Sequence, residues 1–337
     1  MNAAHKILTS LALSCVLAAC GGGDSPSQGS SSEQIAIDGS STVFPLAEAA
    51  AESFGRTARG GARVTVGESG TGGGFRKFCR GEIQISNASR PISSGEMEAC
   101  ATAGVEYVEV PIAFDGISVV VHPSNPLTNV TMAQLRQVWQ PSAEATVMRW
   151  NQVASSWPNQ PLQLFGPGTA SGTFDFFTEA VNGDGGSSRT DYTPSEDDNV
   201  LVQGVAGNPG AMGYFGFAYY EQNRERVKAL SVDGVAPSAE KIASGQYPLS
   251  RPMFIYVNAA ALRRPQVRRF VDYFMQNAAT LAPQVGYVAL PAEAYAAFSE
   301  RVTQNQTGTA FGGHNEVGLS VEDLTTRPLS TTAAPPQ

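Results

Sequence analysis

Apolar positions come in short runs whose period changes at glycine- and hydroxyl-rich punctuation, and that change recurs three times along the chain. Gln34-Ile-Ala-Ile37 predicts a short strand, Asp38-Gly-Ser-Ser-Thr42 interrupts it, and the amphipathic, alanine-rich stretch Val43 to Phe54, with Pro45 in its first turn, predicts a helix. Arg63-Val-Thr-Val66 predicts a second strand, followed by Gly67-Glu-Ser-Gly-Thr-Gly-Gly-Gly74 and a helix over Phe75 to Cys79. Leu162-Gln-Leu-Phe165 predicts a third, followed by Gly166-Pro-Gly-Thr-Ala-Ser-Gly-Thr173 and a helix over Phe174 to Val181. Each loop brings hydroxyls and flexible backbone to a helix start. There, unpaired N–H groups and roughly half a positive charge favour an anion. One such loop reads as an ordinary helix cap, whereas three converging on a point would cradle a small tetrahedral oxyanion.

The first twenty residues read as a targeting signal, with Lys6 at the start, an apolar run Ile7 to Ala19, and Leu17-Ala18-Ala19-Cys20 as a cleavage site. The run is too short to span a bilayer. The pattern matches a lipoprotein signal peptide (1–19) with Cys20 as the acylated residue, and so predicts a periplasmic or cell-surface protein anchored to the membrane by lipid. Residues 20–33 then form a flexible tether with a reach of about 20 Å. The remaining body is long enough that two lobes are expected around separate cores.

Composition narrows the function classes. The chain carries 22 basic and 30 acidic residues, a net charge of −8, and loses one further positive charge with Lys6. Without a lysine-arginine stripe this argues against nucleic acid and requires any anion site to be local. Of the four cysteines, Cys79 and Cys100 remain after Cys15 and Cys20, an even pair in an oxidising compartment, so a disulfide is expected. No metal ligation or cofactor is predicted, since two sulfurs without a nearby histidine make a poor zinc site. No Gly-Lys-Ser or Gly-Lys-Thr closes the glycine-rich segment, so it is not a nucleotide loop. Gly67-Glu-Ser-Gly70 has the look of a nucleophile turn, but His5, His122 and His314 offer no credible base.

The strings DGSSTVFPLAEA, VGESGTGGGFRKFC, EIQISNASRPI, VPIAFDGISVVVHPSNP, GPGTASGTFDFF, GNPGAMGYFGFAYY and YPLSRPMFIYVN follow one another along the chain. Together they resemble the phosphate-binding proteins of ABC-type importers, in the subgroup with a Ser-Arg-Pro motif. The resemblance implies an α/β, type II periplasmic binding fold: two lobes, two crossing hinge segments, and a ligand-closed cleft. On that template lobe one is 34–114 plus 257–325, lobe two is 115–256, and 326–337 is a disordered tail. Pro111 to Phe114 and Phe254 to Val257 are the expected crossings. The protein would bind inorganic phosphate and deliver it, as a monomer without cofactor or catalytic activity, to permease subunits. The alternatives are another tetrahedral oxyanion (sulfate, molybdate, arsenate), a secreted phosphatase or hydrolase, and a surface adhesin or signalling partner without transport.

Carried over by the resemblance, Ser40, Ser41 and Thr42 match the first phosphate loop. Ser69 or Thr71 matches the second, and Ser171, Gly172 and Thr173 match the third. Two departures stand out. Better-known members have aspartate where Arg90 stands, and an arginine in the region of Pro167 to Ala170. The cation is therefore expected at Arg90, paired with a carboxylate that accepts the proton of hydrogen phosphate and disfavours sulfate. Asp115 is the first candidate acceptor and Glu68 the second. The plainer readings are a surface ion pair for Arg90, a turn-forming Asp-Gly for Asp115, a solvated acid for Glu68 and a loop cap for Asp38.

Overall fold

A computed structural model describes residues 34–57, 62–169, 171–195, 197–314 and 319–333. The expected leader, Cys20 and the tether lie outside the described residues. Strands β1 (Gln34–Gly39), β2 (Arg63–Val66) and β3 (Ile85–Ala88) lead into helices α1 (Phe44–Thr57), α2 (Thr71–Cys79) and α3 (Ser94–Thr102). The long strand β4 (Tyr107–Val121) is followed by β5 (Asn129–Val130) and α4 (Met132–Trp139), then by β6 (Gln163–Pro167) and α5 (Gly172–Asn182). Next come β7 (Thr193–Ser195), α6 (Asp198–Gly207), β8 (Ala211–Gly216), α7 (Phe217–Gln222), β9 (Lys228–Ala229), β10 (Ser231–Val232) and α8 (Ala239–Ala243). Strand β11 (Ser250–Asn258) and helices α9 (Pro265–Gln284), α10 (Ala292–Thr303) and α11 (Val321–Thr326) complete the chain. Each predicted strand–loop–helix unit is present.

The strands pair in the order β2-β1-β3-β11-β4-β8-β6-β7, with β9 also on β4. Parallel pairs lie at both ends, β1 with β2 and β3, and β6 with β7 and β8. Between them β4 and β11 run antiparallel. Residues Tyr107 to Gly116 of β4 pair with β11, whereas Ile117 to Val121 pair with β8. Strand β4 thus crosses from one α/β layer to the other, changing partner after Gly116, whereas Phe254 to Val257 of β11 pair with β3 inside the first layer; the arrangement is the two-lobed one expected. Every residue of β4 is buried, so the strand reads as a nearly continuous apolar run. Pro111 cannot donate to a ladder, and the register slips opposite it, between Met253 and Phe254. A bulge is the form in which a sheet interior tolerates proline.

Cys79 at the end of α2 is bonded to Cys100 in α3, across a separation of 21 residues. On a chain-entropy account the link stabilises the fold by about 3 kcal/mol. Thermal unfolding with and without reductant should show a clearly lower midpoint when reduced, and coincident curves would contradict that role. The chain end departs from expectation. Instead of a disordered tail from 326, Ser330 exchanges two backbone hydrogen bonds with Thr309, both at 2.9 Å, so the chain is tied back as far as the strand-like bridge. Among the described residues no helix is long and apolar enough to cross a membrane.

Candidate functional site

The first loop is built by a glycine that nothing else could replace. Gly39 has φ +142°, and a Cβ there would lie 2.1 Å from the Asn87 carbonyl oxygen. The chain can therefore turn against β3, where Ser40 N–H donates to Asn87 O at 3.0 Å. Ser40 O then receives Val43 and Phe44 N–H and starts α1. Thr42, 5 % exposed, is aimed inward: its hydroxyl accepts from Arg251 Nη2 at 2.8 Å.

In the second loop the two candidate hydroxyls separate. Ser69 is exposed, and both its N–H and its Oγ donate to Asp38, at 3.0 and 2.6 Å. Lys77 also bonds Asp38. Burial raises the Asp38 carboxyl, but Lys77 and Ser69 outweigh it and hold it below the usual carboxylate range. Asp38 thus ties down the neighbouring loop as well as bonding the Gly39 backbone in its own. Thr71 instead opens α2 after Gly70, which has φ 75° and supplies no side-chain cap. Its hydroxyl lies 3.2 Å from Ser89 Oγ and accepts Ser89 N–H at 3.3 Å.

The third loop is capped by Ser171, whose hydroxyl accepts Thr173 N–H at 3.2 Å. Gly172 then presses on the first loop, because a Cβ there would fall 1.9 Å from Thr42 Oγ1 and 2.7 Å from Thr42 N. Loops one and three therefore touch, and Arg251 sits where they do. It reaches Thr42, Gly172 O at 3.0 Å, Ser89 O at 3.4 Å and Asp115 at 3.5 Å, and stacks on Phe176 at 4.1 Å.

The expected charge pair is rearranged. Arg90 does not meet Asp115; its two terminal nitrogens grip Glu96 at 2.9 Å each, and one of them also donates to Pro91 O at 3.0 Å. Burial pulls this guanidinium down and Glu96 more than offsets it, so the net displacement is upward. Asp115, 2 % exposed, faces Arg251 in register across β4 and β11. Burial pushes its carboxyl up, against the pull of Arg251. Glu68 is exposed, as in its plainer reading. Arg251 was not singled out by the sequence reading, although a signal was present: Ser250-Arg251-Pro252 repeats Ser89-Arg90-Pro91.

A cavity of about 260 Å³ lies beside these parts, lined by Thr71, Gly72, Ser89, Arg90, Asp175, Glu179, Gly185 and Arg251, so that of the residues carried over by the resemblance Thr71 and Arg90 are the two that line it. Its walls come from α2, the turn after β3, α5 and β11, so it lies at the crossing. A larger cavity of about 490 Å³ flanks Phe174 and Tyr192. The cation in its wall, Arg189, is already held by Asp191 and by the carbonyls of Val138 and Val147. The smaller cavity is the one with converging donors.

Residues 24–278 match the family model of the PBP superfamily domain. Protein SphX of Synechococcus elongatus is 50% identical over 296 residues, covering 86% of this chain and 87% of that protein. The phosphate-binding protein PstS of Staphylococcus saprophyticus is 35% identical over 294 residues, covering 85% and 90%. A crystal structure described as a possible phosphate binding protein from Planctomyces limnophilus superposes with TM-score 0.76 at 43% identity, covering 82% of this chain and 99% of that one. Crossing strands, cleft and sequence agree: the chain belongs to the PBP superfamily and, within it, to the family of the SphX and PstS proteins.

Proposed function

We propose that the protein captures inorganic phosphate in the cavity at the crossing strands and delivers it, lobes closed, to the permease of an ABC importer. Relatives with phosphate-binding names cover 82% to 85% of its length. The observation that carries the reading is Arg251, 8 % exposed, charged at any physiological pH, and left with its Nε without a hydrogen-bond partner. A buried guanidinium with an unused donor beside a polar cavity is a site for an oxyanion. Thr42, Thr71, Arg90 and the turn Ser171 to Thr173 supply further donors, with Ser40 and Ser41 shaping the first loop. Asp115 is the carboxylate that holds Arg251.

Selectivity follows from charge. Arg90 and Arg251 are matched by Glu96 and Asp115, and Asp175 and Glu179 add two more acids to the cavity wall. Partial burial pushes the Asp175 carboxyl up; Arg251 opposes this and Glu179 adds to it. An oxyanion entering such a site gains by donating a hydrogen bond to a carboxylate, which hydrogen phosphate can do and sulfate, which carries no proton, cannot. Asp175 lines the cavity, so it takes the acceptor role that the sequence offered to Asp115 or Glu68.

Calorimetry at neutral pH should show one-site phosphate binding and no sulfate heat; sulfate binding without phosphate binding would overturn the reading. In Asp175→Asn, discrimination against sulfate should fall about ten-fold or more in competition titrations. A hydrolase is disfavoured, since Ser69 is engaged by Asp38 and His122 Nδ1 pairs with Ser124 in its own turn at 2.7 Å. The same reading keeps the lobe limits 34–114 plus 257–325 and 115–256, a monomeric form, and lipid attachment at Cys20 outside the cytoplasm. Palmitate labelling that persists in Cys20→Ser would remove the anchor from it.

A further inference from the structure

Glu109 lies in the first half of β4, fully buried and outside the cavity. A carboxylate in such a place costs several kcal/mol unless it is well bonded, and an apolar residue would fill the space more cheaply. Its bonds are specific. Oε2 accepts from Tyr256 OH at 2.7 Å and from the Thr309 hydroxyl, and Oε1 accepts from Ala310 N–H at 2.9 Å. Burial pushes the carboxyl up, and these three donors oppose it.

Tyr256 turns this knot into a connection. While its hydroxyl donates to Glu109 it accepts Ile92 N–H at 2.9 Å. Ile92 is separated from Arg90 only by Pro91, which has no N–H of its own, so this amide fixes the far side of the Ser89-Arg90-Pro91 turn. The segment that holds Glu109 also reaches that turn directly. Gly313 O accepts Ser94 N–H at 3.1 Å, in a contact so close that a Cβ on Gly313 would lie 2.8 Å from Ser94 Cα. Ser94 begins the helix whose Glu96 grips Arg90.

We infer that Glu109 and Tyr256 are positioning residues for the anion site: through Ile92 they fix the turn that presents Ser89 and Arg90 to the cavity, and the segment 309–313 holds them in place. This rests on the reading of the cavity as a phosphate site.

The test is phosphate titration of Tyr256→Phe, alone and combined with Arg90→Ala. Tyr107→Phe serves as the control, because it removes a neighbouring buried hydroxyl that has no partner. Tyr256→Phe should raise the phosphate Kd about ten-fold in the otherwise native protein and less than about two-fold beside Arg90→Ala, while Tyr107→Phe leaves it unchanged. Hydrogen exchange of the peptide spanning 89–93 should be faster in Tyr256→Phe and native-like in Tyr107→Phe. An unchanged Kd, or an equal loss in both Arg90 backgrounds, would overturn the inference, as would native exchange at 89–93. If native protein bound no phosphate, the parent reading would fall, and the exchange experiment would still decide whether Tyr256 positions the turn. Should Tyr256→Phe fail to fold, Thr309→Val removes one donor from the same carboxylate and is held to the same outcomes.

Discussion

Arg251→Met is expected to abolish phosphate binding at any concentration a calorimeter can reach. Truncating one member of a buried, hydrogen-bonded charge pair costs about 2 to 5 kcal/mol of binding, which is about 30-fold to several thousand-fold in Kd. Arg251 stands at the upper end because one side chain joins Thr42, Gly172 and Ser89 and keeps Nε in reserve. The variant should also acquire a pH-dependent weakness. With the guanidinium gone, the Gly116 backbone N–H is left to oppose the burial that already pushes Asp115 up. A carboxyl whose folded pKa lies above its unfolded value favours the fold at low pH. That stability is lost as pH rises past the unfolded pKa towards the folded one. Urea unfolding of Arg251→Met should therefore approach native at pH 4 and fall short by on the order of 3 kcal/mol at pH 8. Adding Asp115→Asn should restore most of the stability and none of the affinity. Retained affinity in the single variant would remove Arg251 from the site.

What the sequence made legible is local. A change from strand to helix period across Gly, Ser and Thr needs only ten or so residues. The units at Gln34–Phe54, Arg63–Cys79 and Leu162–Val181 accordingly appear with boundaries displaced by a few residues. Glu96 was not singled out in the sequence, although Ser93 and Glu96 have the spacing of a capping box; the glutamate that closes the box also takes Arg90. The Asp115–Arg251 pair was not readable, because it depends on the register of two strands 136 residues apart. The repeated Ser-Arg-Pro string marks Arg251 in sequence but says nothing of its partner. Similarly, Ser69 and Thr71 could not be told apart by motif. Asp38, from a different strand, draws Ser69 outward and leaves Thr71 to face the cavity. The tail misled for the opposite reason: a Pro- and Thr-rich composition predicts disorder, and composition carries no information about the single backbone bridge from Ser330 to Thr309.

Gly172→Ala should separate affinity from stability in the opposite sense to Arg251→Met. Gly172 is the first residue of α5 and has no positive φ, so alanine fits its backbone, and in a helix that exchange usually stabilises by about 0.5 to 1 kcal/mol. The obstacle lies across the cleft. The new methyl would stand 1.9 Å from Thr42 Oγ1, which a rotamer change could relieve, but also 2.7 Å from Thr42 N, which is backbone held by the turn behind it. Moving that turn would pull on Ser40 and its bond to Asn87, so the cheaper response is for α5 to stand away from α1. Loops one and three would then no longer share one anion. The variant should melt at or slightly above the native temperature, and its phosphate Kd should rise about 100-fold or more. Small-angle scattering should show no compaction when phosphate is added. Gly207→Ala, at the end of α6 with no atom within 4 Å of the added Cβ, should leave affinity and compaction unchanged. A Gly172→Ala protein that binds phosphate as tightly as native would mean that the contact between Thr42 and α5 is not the surface on which the cleft closes.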